Sequence, residues 1–315
     1  MKPIRYYVVP REDVEHVTQG TPLPGDFLAN WEADRPGVLN KSTQDIFAAN
    51  SRSERQVWKD FSLFRRVRDP KRADVVVCQN WLELFHANRL DQAVRLLLRH
   101  VVLTYPDKIS IFSWNHDADS RSLTLFGDLP DNSIILDYNT SKPWPQSLVL
   151  PFWNVATGQM DRVGDRPWFA GFNGYVGSVA LRQQLRFAIY RQHGYHCSDK
   201  RLGEADYLKQ LSGFKYALCP RGGGLSSYRF YEAIQCGAVP VLFADDAVLP
   251  FPDLDYSKFS IRLPEAATYE FWKIDDVLRE ADWESLHREV LAVQQQFSLL
   301  GVQKAIHARV TEMMA

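Results

Sequence analysis

The residues best suited to chemistry lie between 214 and 237, in the stretch FKYALCPRGGGLSSYRFYEAIQCG. Gly222, Gly223 and Gly224 carry no side chains, so a ligand can come close to their backbone N–H groups. Arg221 and Arg229 bracket the loop, and guanidinium is the side chain best shaped for phosphate oxygens. Glu232 follows Arg229 by three residues, so on a helix the two project from neighbouring faces. Amides, guanidiniums and a carboxylate in this order could hold the anionic and hydroxyl parts of a phosphorylated ligand. The blander reading is a plain helix entry with flexible glycines, solvated arginines and a local Arg229–Glu232 ion pair worth ~0.2–0.5 kcal/mol. Loop, arginines and local context agree with one another, and this favours the phosphate reading.

Such a loop needs elements to aim it. Residues 214–219 read as an apolar strand that empties into the glycines. Ser226 or Ser227 can cap a helix over Tyr228–Gln235, and Gly237 can end that helix with positive φ. A second apolar strand follows over Val239–Phe243. This strand–loop–helix–strand unit suits a parallel sheet. It also puts the loop amides at a helix N-terminus, where the macrodipole favours an anion.

The 315 residues suffice for two domains with ample core, and 45% hydrophobic with 24% charged residues is the mix of a soluble globular chain. A net charge of −1 argues against a dedicated nucleic-acid partner. Cys78, Cys197, Cys219 and Cys236 include no C-x-x-C pair, so neither a zinc site nor a redox motif is indicated, and Cys78 and Cys219 read as buried small hydrophobes at strand ends. The N-terminus lacks the apolar core of a signal peptide, and no run reaches the ~20 apolar residues of a membrane span.

Strands are expected at 4–9, 73–78, 109–113, 134–136 and 148–150. Ser42 with Asp45 opens a helix expected to run through Val57, Phe61 and Phe64 to a basic end at 65–68. Leu90, Val94, Leu97 and Leu98 mark one face of another helix. Residues 114–119, WNHDAD, form an unusually polar loop after a strand. The polar stretch 151–166 is the expected domain boundary, giving an α/β domain over 1–155 and a second over 156–315. The final helix is free to pack back on the first domain. In the second domain a strand at 168–171 leads to a turn at 172–177 and a helix over 178–192. His193 and His196 flank Gly194 and Tyr195; without acidic or cysteine ligands at suitable spacing they read as loop residues and not a metal pair. Further elements are helices over 203–211, 269–279, 283–297 and 302–313 and a strand over 259–263.

The run Pro220, Arg221, Gly222, then Ser227, Arg229, Glu232, Ala233, Ile234, Gly237, Val239, Pro240 and Val241 resembles the signature of the exostosin-like glycosyltransferases. Pro250, Phe251, Asp255, Tyr256, Ser257, Phe259 and Ser260 extend the likeness, which is close over about fifty residues. The resemblance implies two Rossmann-like α/β domains facing a cleft, the GT-B glycosyltransferase arrangement. It implies an inverting enzyme moving a hexosyl or glycuronosyl group from a nucleotide-sugar donor, UDP-linked in the first reading, to a glycan or lipid-linked glycan in polysaccharide synthesis. A GDP-sugar fucosyltransferase-like enzyme and a silent nucleotide-sugar-binding scaffold are the alternatives. The expected location is cytoplasmic, with peripheral attachment at the inner membrane face as a further option.

The resemblance also distributes roles. Arg182 becomes a further diphosphate contact, against the equal alternative of a surface arginine on a helix that also holds Arg186 and Arg191. Glu232 would hold the ribose. Asp117 is the first choice for the base that takes the acceptor proton, and His116 the second, with a structural Asx turn as the alternative. Asp117 and Asp119 lie away from the donor loop and adjacent Asp245 and Asp246 diverge, so no metal is expected. Trp31, Trp114, Trp144 and Trp153 could stack on sugar rings, although most of the nine tryptophans should be core.

Overall fold

A computed structural model describes residues 2–17, 57–58, 62–78, 82, 91–114, 125–138, 143–152, 165–177, 179–200, 202–222 and 225–315. The chain divides into two compact units: Met1–Tyr138 with Pro143–Leu148 and Gln303–Ala315, and Asn139–Lys142 with Val149–Val302.

The first unit is built on strands β1 (Ile4–Val8), β2 (Phe64–Arg66), β3 (Val75–Cys78), β4 (Ile109–Trp114), β5 (Ser133–Asp137) and β6 (Ser147–Val149), in the spatial order β2-β1-β3-β4-β5-β6. The pairs from β2 through β5 are parallel. Every residue of β3, β4 and β5 is buried, which is why these segments lack apolar–polar alternation: strands covered on both faces read as continuous apolar runs. Helix α1 (Arg11–Val17) follows β1. Helix α2 (Asp91–Thr104) covers the sheet with Ala93, Val94, Leu97, Leu98 and Val101.

Two expectations fail in this unit. Phe64 does not continue a helix: it opens β2, fully buried, and pairs in parallel register with Ile4. An edge strand with two exposed arginines has no period of its own, and pairing with β1 decides its form. Trp114 and Trp144 are not free sugar platforms either. Both are buried, packed edge-on against Phe126 at 5.0 and 4.8 Å between ring centroids. Trp31, Trp153 and the helix start at Ser42 lie outside the described residues.

The second unit has strands β7 (Trp168–Asn173), β8 (Tyr195–Ser198), β9 (Phe214–Pro220), β10 (Val239–Phe243) and β11 (Ile261–Leu263) in the order β11-β10-β9-β7-β8. All these pairs are parallel. Its α-helices are α3 (Ala180–Ile189), α4 (Glu204–Ser212), α5 (Tyr228–Gln235), α6 (Phe271–Glu280) and α7 (Trp283–Val293). A 3-10 turn, Gln294–Phe297, replaces the end of the helix expected over 283–297. His196 lies in β8 and not in a loop. The helix α8 (Leu299–Met314) runs from the second unit into the first. Within the first unit its Gln303 donates to the Val57 carbonyl at 2.9 Å, and the His307 ring lies against Phe64.

Helix α5 ends as its sequence requires. Gly237 takes φ +72°, Ala238 N–H reaches the Ala233 carbonyl at 2.9 Å, and Gly237 N–H reaches Ile234 at 3.0 Å, a Schellman stop. Arg166 then ties helix ends together, donating to the carbonyls of Ser212, Phe214 and Cys236 at 2.6, 2.9 and 3.1 Å.

Both sheets have the same plan. In each, the second strand lies to one side of the first and the third lies to the other. The chain therefore reverses direction across β1/β3 in one unit and β7/β9 in the other. In open α/β sheets ligands bind outside the carboxyl ends of the strands at such a switch point. In the second unit those ends are Asn173 and Pro220, and Pro220 opens the glycine loop. No α-helix among the described residues is long and apolar enough to cross a membrane.

Candidate functional site

The second unit's switch point gathers three arginines, each held differently. Arg229, in the first turn of α5, is 7% exposed. Its Nη2 donates to the Asn173 carbonyl at the end of β7, and its guanidinium lies 4.6 Å over the Phe172 ring. Its Nε and Nη1 are buried with no hydrogen-bond partner. A Cβ on Gly174 would overlap Nη2, so that position admits only glycine while the arginine lies there.

Arg182, on α3, reaches the same corner. It donates from Nε to the Arg221 carbonyl at 3.0 Å and from Nη1 to the Tyr175 carbonyl at 3.2 Å. Gly222 stands against it, since a Cβ there would be 3.3 Å from Nη2. Burial, and then the charge of Arg229, pulls its pKa down to about 10. The two guanidiniums repel each other. Among the described residues no carboxylate pairs with either. Two crowded cations without a counter-ion make a site that an anion would relieve.

Arg221 behaves differently from expectation. Its backbone N–H extends the ladder to the Phe243 carbonyl, and its side chain pairs with Glu265 at 2.5 Å. It can meet a ligand only by sharing that carboxylate. The Gly222 N–H is also spoken for, closing the turn on the Ser226 carbonyl at 3.2 Å. Gly223 and Gly224 lie outside the described residues, as do His116 and Asp117.

The expected cap is corrected in kind. Ser227 occupies the N-cap position of α5, yet its buried hydroxyl donates back to the Pro220 carbonyl at 3.2 Å and caps nothing. It ties the loop's end to its beginning. Ser226 Oγ lies 3.4 Å from the Tyr231 hydroxyl. The helix's first N–H groups thus receive no side-chain cap.

Glu232 sits one turn beyond Arg229 and is half-buried. Its Oε2 accepts a 2.8 Å hydrogen bond from Tyr207 on α4. Burial, and then the charge of Glu232, holds the Tyr207 hydroxyl well above its ordinary pKa, so it stays protonated and donates. Cys219 is fully buried beside this cluster, its thiol pushed up to about 12 by burial, an inert filler and not a nucleophile. Arg229, Glu232 and Arg182 all lie within electrostatic reach of Cys219.

Sequence reasoning missed Asn173, Tyr207 and Gln210. Asn173 is 3% exposed, gives Nδ2 to Gln210 Oε1 at 2.5 Å, and leaves Oδ1 buried and unpaired. Only its place in a glycine-bearing turn after a strand could have marked it. Among the described residues no group of three His, Cys, Asp or Glu side chains could hold a metal ion.

Known proteins resemble this chain in sequence and in structure. The chain is similar to Exostosin-1 of Drosophila melanogaster, 33% identical over 96 residues, covering 30% of this chain and 12% of that protein. It is similar to a probable glucuronosyltransferase of Oryza sativa subsp. japonica, 31% identical over 94 residues, covering 30% and 22%. The matched stretches thus span less than a quarter of those relatives' own length. Among solved structures, MurG of Acinetobacter baumannii aligns over 99% of this chain and 100% of its own, at 11% identity and a TM-score of 0.41. The profile of the exostosin GT47 domain matches residues 32–278, most of the chain and both units. The chain belongs to the exostosin GT47 domain family of glycosyltransferases.

Proposed function

We propose that the second unit binds a nucleoside-diphosphate sugar, UDP-linked, and that the chain transfers its hexosyl or glycuronosyl group with inversion to a glycan acceptor. The observation that carries this reading is Arg229: a guanidinium buried at the switch point, two of its donors unpaired, and a second arginine beside it. In transfer, the acceptor oxygen bonds to the anomeric carbon as that carbon's bond to the diphosphate breaks. The acceptor proton goes to a base and the electron pair leaves on the diphosphate. Arg229 and Arg182 would bear that developing charge, aided by the amides of Gly223 and Gly224. Glu232, already oriented by Tyr207, would accept from the ribose hydroxyls. Ser226 and Ser227 would hold the loop's shape, and Asp117, with His116 as second choice, would take the proton. No disulfide joins the four cysteines, which supports a reducing, cytoplasmic setting.

A thermal-shift screen over UDP, GDP, CMP and their sugar conjugates tests the donor. A ligand that binds only the folded state raises the melting temperature by mass action. UDP species should give the largest shift. A larger shift with GDP would move the chain to the fucosyltransferase-like reading, and none with any nucleotide would end the proposal.

Two further outcomes follow from the roles. With arginines and amides neutralising the leaving diphosphate, sugar transfer should persist in excess EDTA; complete loss with recovery on adding Mn²⁺ contradicts this. Glu232→Ala should weaken uridine and UDP alike, by ~10-fold, because both contain the ribose. Unchanged nucleoside affinity in a variant that unfolds readily would make Glu232 a structural partner of Tyr207 alone.

A further inference from the structure

Behind the donor corner runs a row of polar groups that the transfer chemistry does not use. Asn173 supplies the carbonyl that holds Arg229, and its side-chain Nδ2 donates to Gln210 Oε1 at 2.5 Å. Gln210 Nε2 lies 2.8 Å from His196 Nε2. At the inner end, Asn173 Oδ1 is buried with no partner.

The row has a direction. A primary amide donates on one side and accepts on the other. Gln210 accepts from Asn173 on its Oε1 side, so it donates to the imidazole, and His196 Nε2 must be the unprotonated nitrogen. The ring is neutral with its proton on Nδ1. A second proton would put N–H at Nε2 against the Gln210 NH₂, and two donors cannot bond. Gln210 would have to turn its amide over, and Asn173 would have to follow. Nδ2 would then stand where Oδ1 had stood.

The surroundings leave the ring to be governed by burial. Trp168 and Phe214 pack on it at 4.8 and 5.9 Å between centroids. Tyr195 and Cys197 alternate to the other face of β8. Tyr195 donates to Asp275, which pairs with Arg279, and Arg186 near Cys197 pairs with Asp199. On α4, Asp206 and Lys209 are exposed; Arg166 is bound to the carbonyls of Ser212, Phe214 and Cys236; and Lys215 lies over Trp283. Burial pulls the His196 pKa below its ordinary value.

We propose, resting on the donor reading above, that His196, Gln210 and Asn173 are positioning residues which present Asn173 Oδ1 as an acceptor for a hydroxyl or base N–H of the nucleotide, and that protonating His196 turns that acceptor into a donor. A diphosphate at neutral pH has no hydrogen to give. The unpaired acceptor therefore selects the nucleoside or sugar part of the ligand, while the unpaired Arg229 donors select its phosphates.

Sign follows from the neutral ring. Because the fold disfavours the charged form, His196 contributes stability that is complete above its unfolded pKa of ~6.5 and is lost as pH falls from there toward the folded value. Donor affinity should fall where the folded protein itself takes up that proton, at the acid end of this range and below it.

The test is calorimetric titration of the full chain with UDP from pH 7.5 to 5.0, in wild type, His196→Gln and Gln210→Met. UDP's own terminal phosphate titrates in this range, but it does so for all three proteins, so the ratio of affinities isolates the protein. The wild-type affinity relative to His196→Gln should drop by about five- to tenfold on acidification, the loss of one hydrogen bond. The ratio of Gln210→Met to His196→Gln should stay flat, because the row is cut in one and cannot titrate in the other. A constant wild-type ratio, or one that rises in acid, overturns the proposal. A wild type that binds no UDP at pH 7.5 overturns the donor reading itself, and this proposal with it.

Discussion

Arg229→Met should hold or slightly raise the melting temperature while cutting sugar transfer from the nucleotide donor by ~10²–10³-fold. The stability half of this result follows from what the arginine lacks. Truncation gives up one hydrogen bond to the Asn173 carbonyl and a guanidinium–ring contact at 4.6 Å. These are worth about 1 and ~0.5–2 kcal/mol. It also removes two buried donors with no partner, each costing about 1–3 kcal/mol, and relieves the repulsion with Arg182. Methionine fills a similar volume with an adaptable thioether, and replacing a buried charge by an apolar group of like size is often neutral or stabilising. The activity half follows from the same unpaired donors, which would be the ones that take the diphosphate. Gain in stability with loss of function is the behaviour of a group kept for its ligand. Thermal melts and donor turnover on one preparation measure both; a protein that melts many degrees lower yet still transfers sugar contradicts the assignment.

Asp117→Asn should keep UDP affinity near wild type and reduce turnover by ~10²–10⁴-fold, the usual contribution of a positioned base. The substitution keeps the side chain's size and removes its ability to take a proton. Asp117 lies outside the described residues, so this expectation stands on the family likeness of the WNHDAD stretch that begins at Trp114, the last residue of β4. Steady-state rates together with UDP titration separate the two effects. Turnover near wild type would move the base to His116 or Asp119.

The frame of the second unit was legible because its local signals agree. Tyr228–Gln235 and Val239–Phe243 have the bounds that helix period, Gly237 and the apolar run require. The weak elements were not legible. Phe64–Arg66 and Tyr195–Ser198 are short and polar, and they become strands only because β1 and β7 offer parallel partners. Among the site residues, the cationic character of Arg182 and Arg229 could be read from the sequence, but their burial and mutual crowding could not. Arg221 looked equivalent to Arg229, and only the packing of the chain after β11 brings Glu265 to neutralise it. Gly222 looked like an anion ligand, and only the turn shows its N–H already taken by Ser226. Asn173, Tyr207 and Gln210 form no motif with Arg229 and Glu232. They meet because β7 lies beside β9 at the reversal of the sheet and α4 carries its two side chains one turn apart.

The donor cradle itself is tested most directly by calorimetric titration of wild type and Arg229→Met with uridine and with UDP. In the wild type UDP should bind far more tightly than uridine, the difference being the diphosphate held by Arg229 and Arg182. In Arg229→Met the uridine affinity should be retained and most of the UDP advantage lost, about a hundredfold weakening for two charge-assisted bonds. If the variant weakens uridine and UDP by the same factor, or neither, Arg229 does not hold the phosphates and the account of the site is wrong.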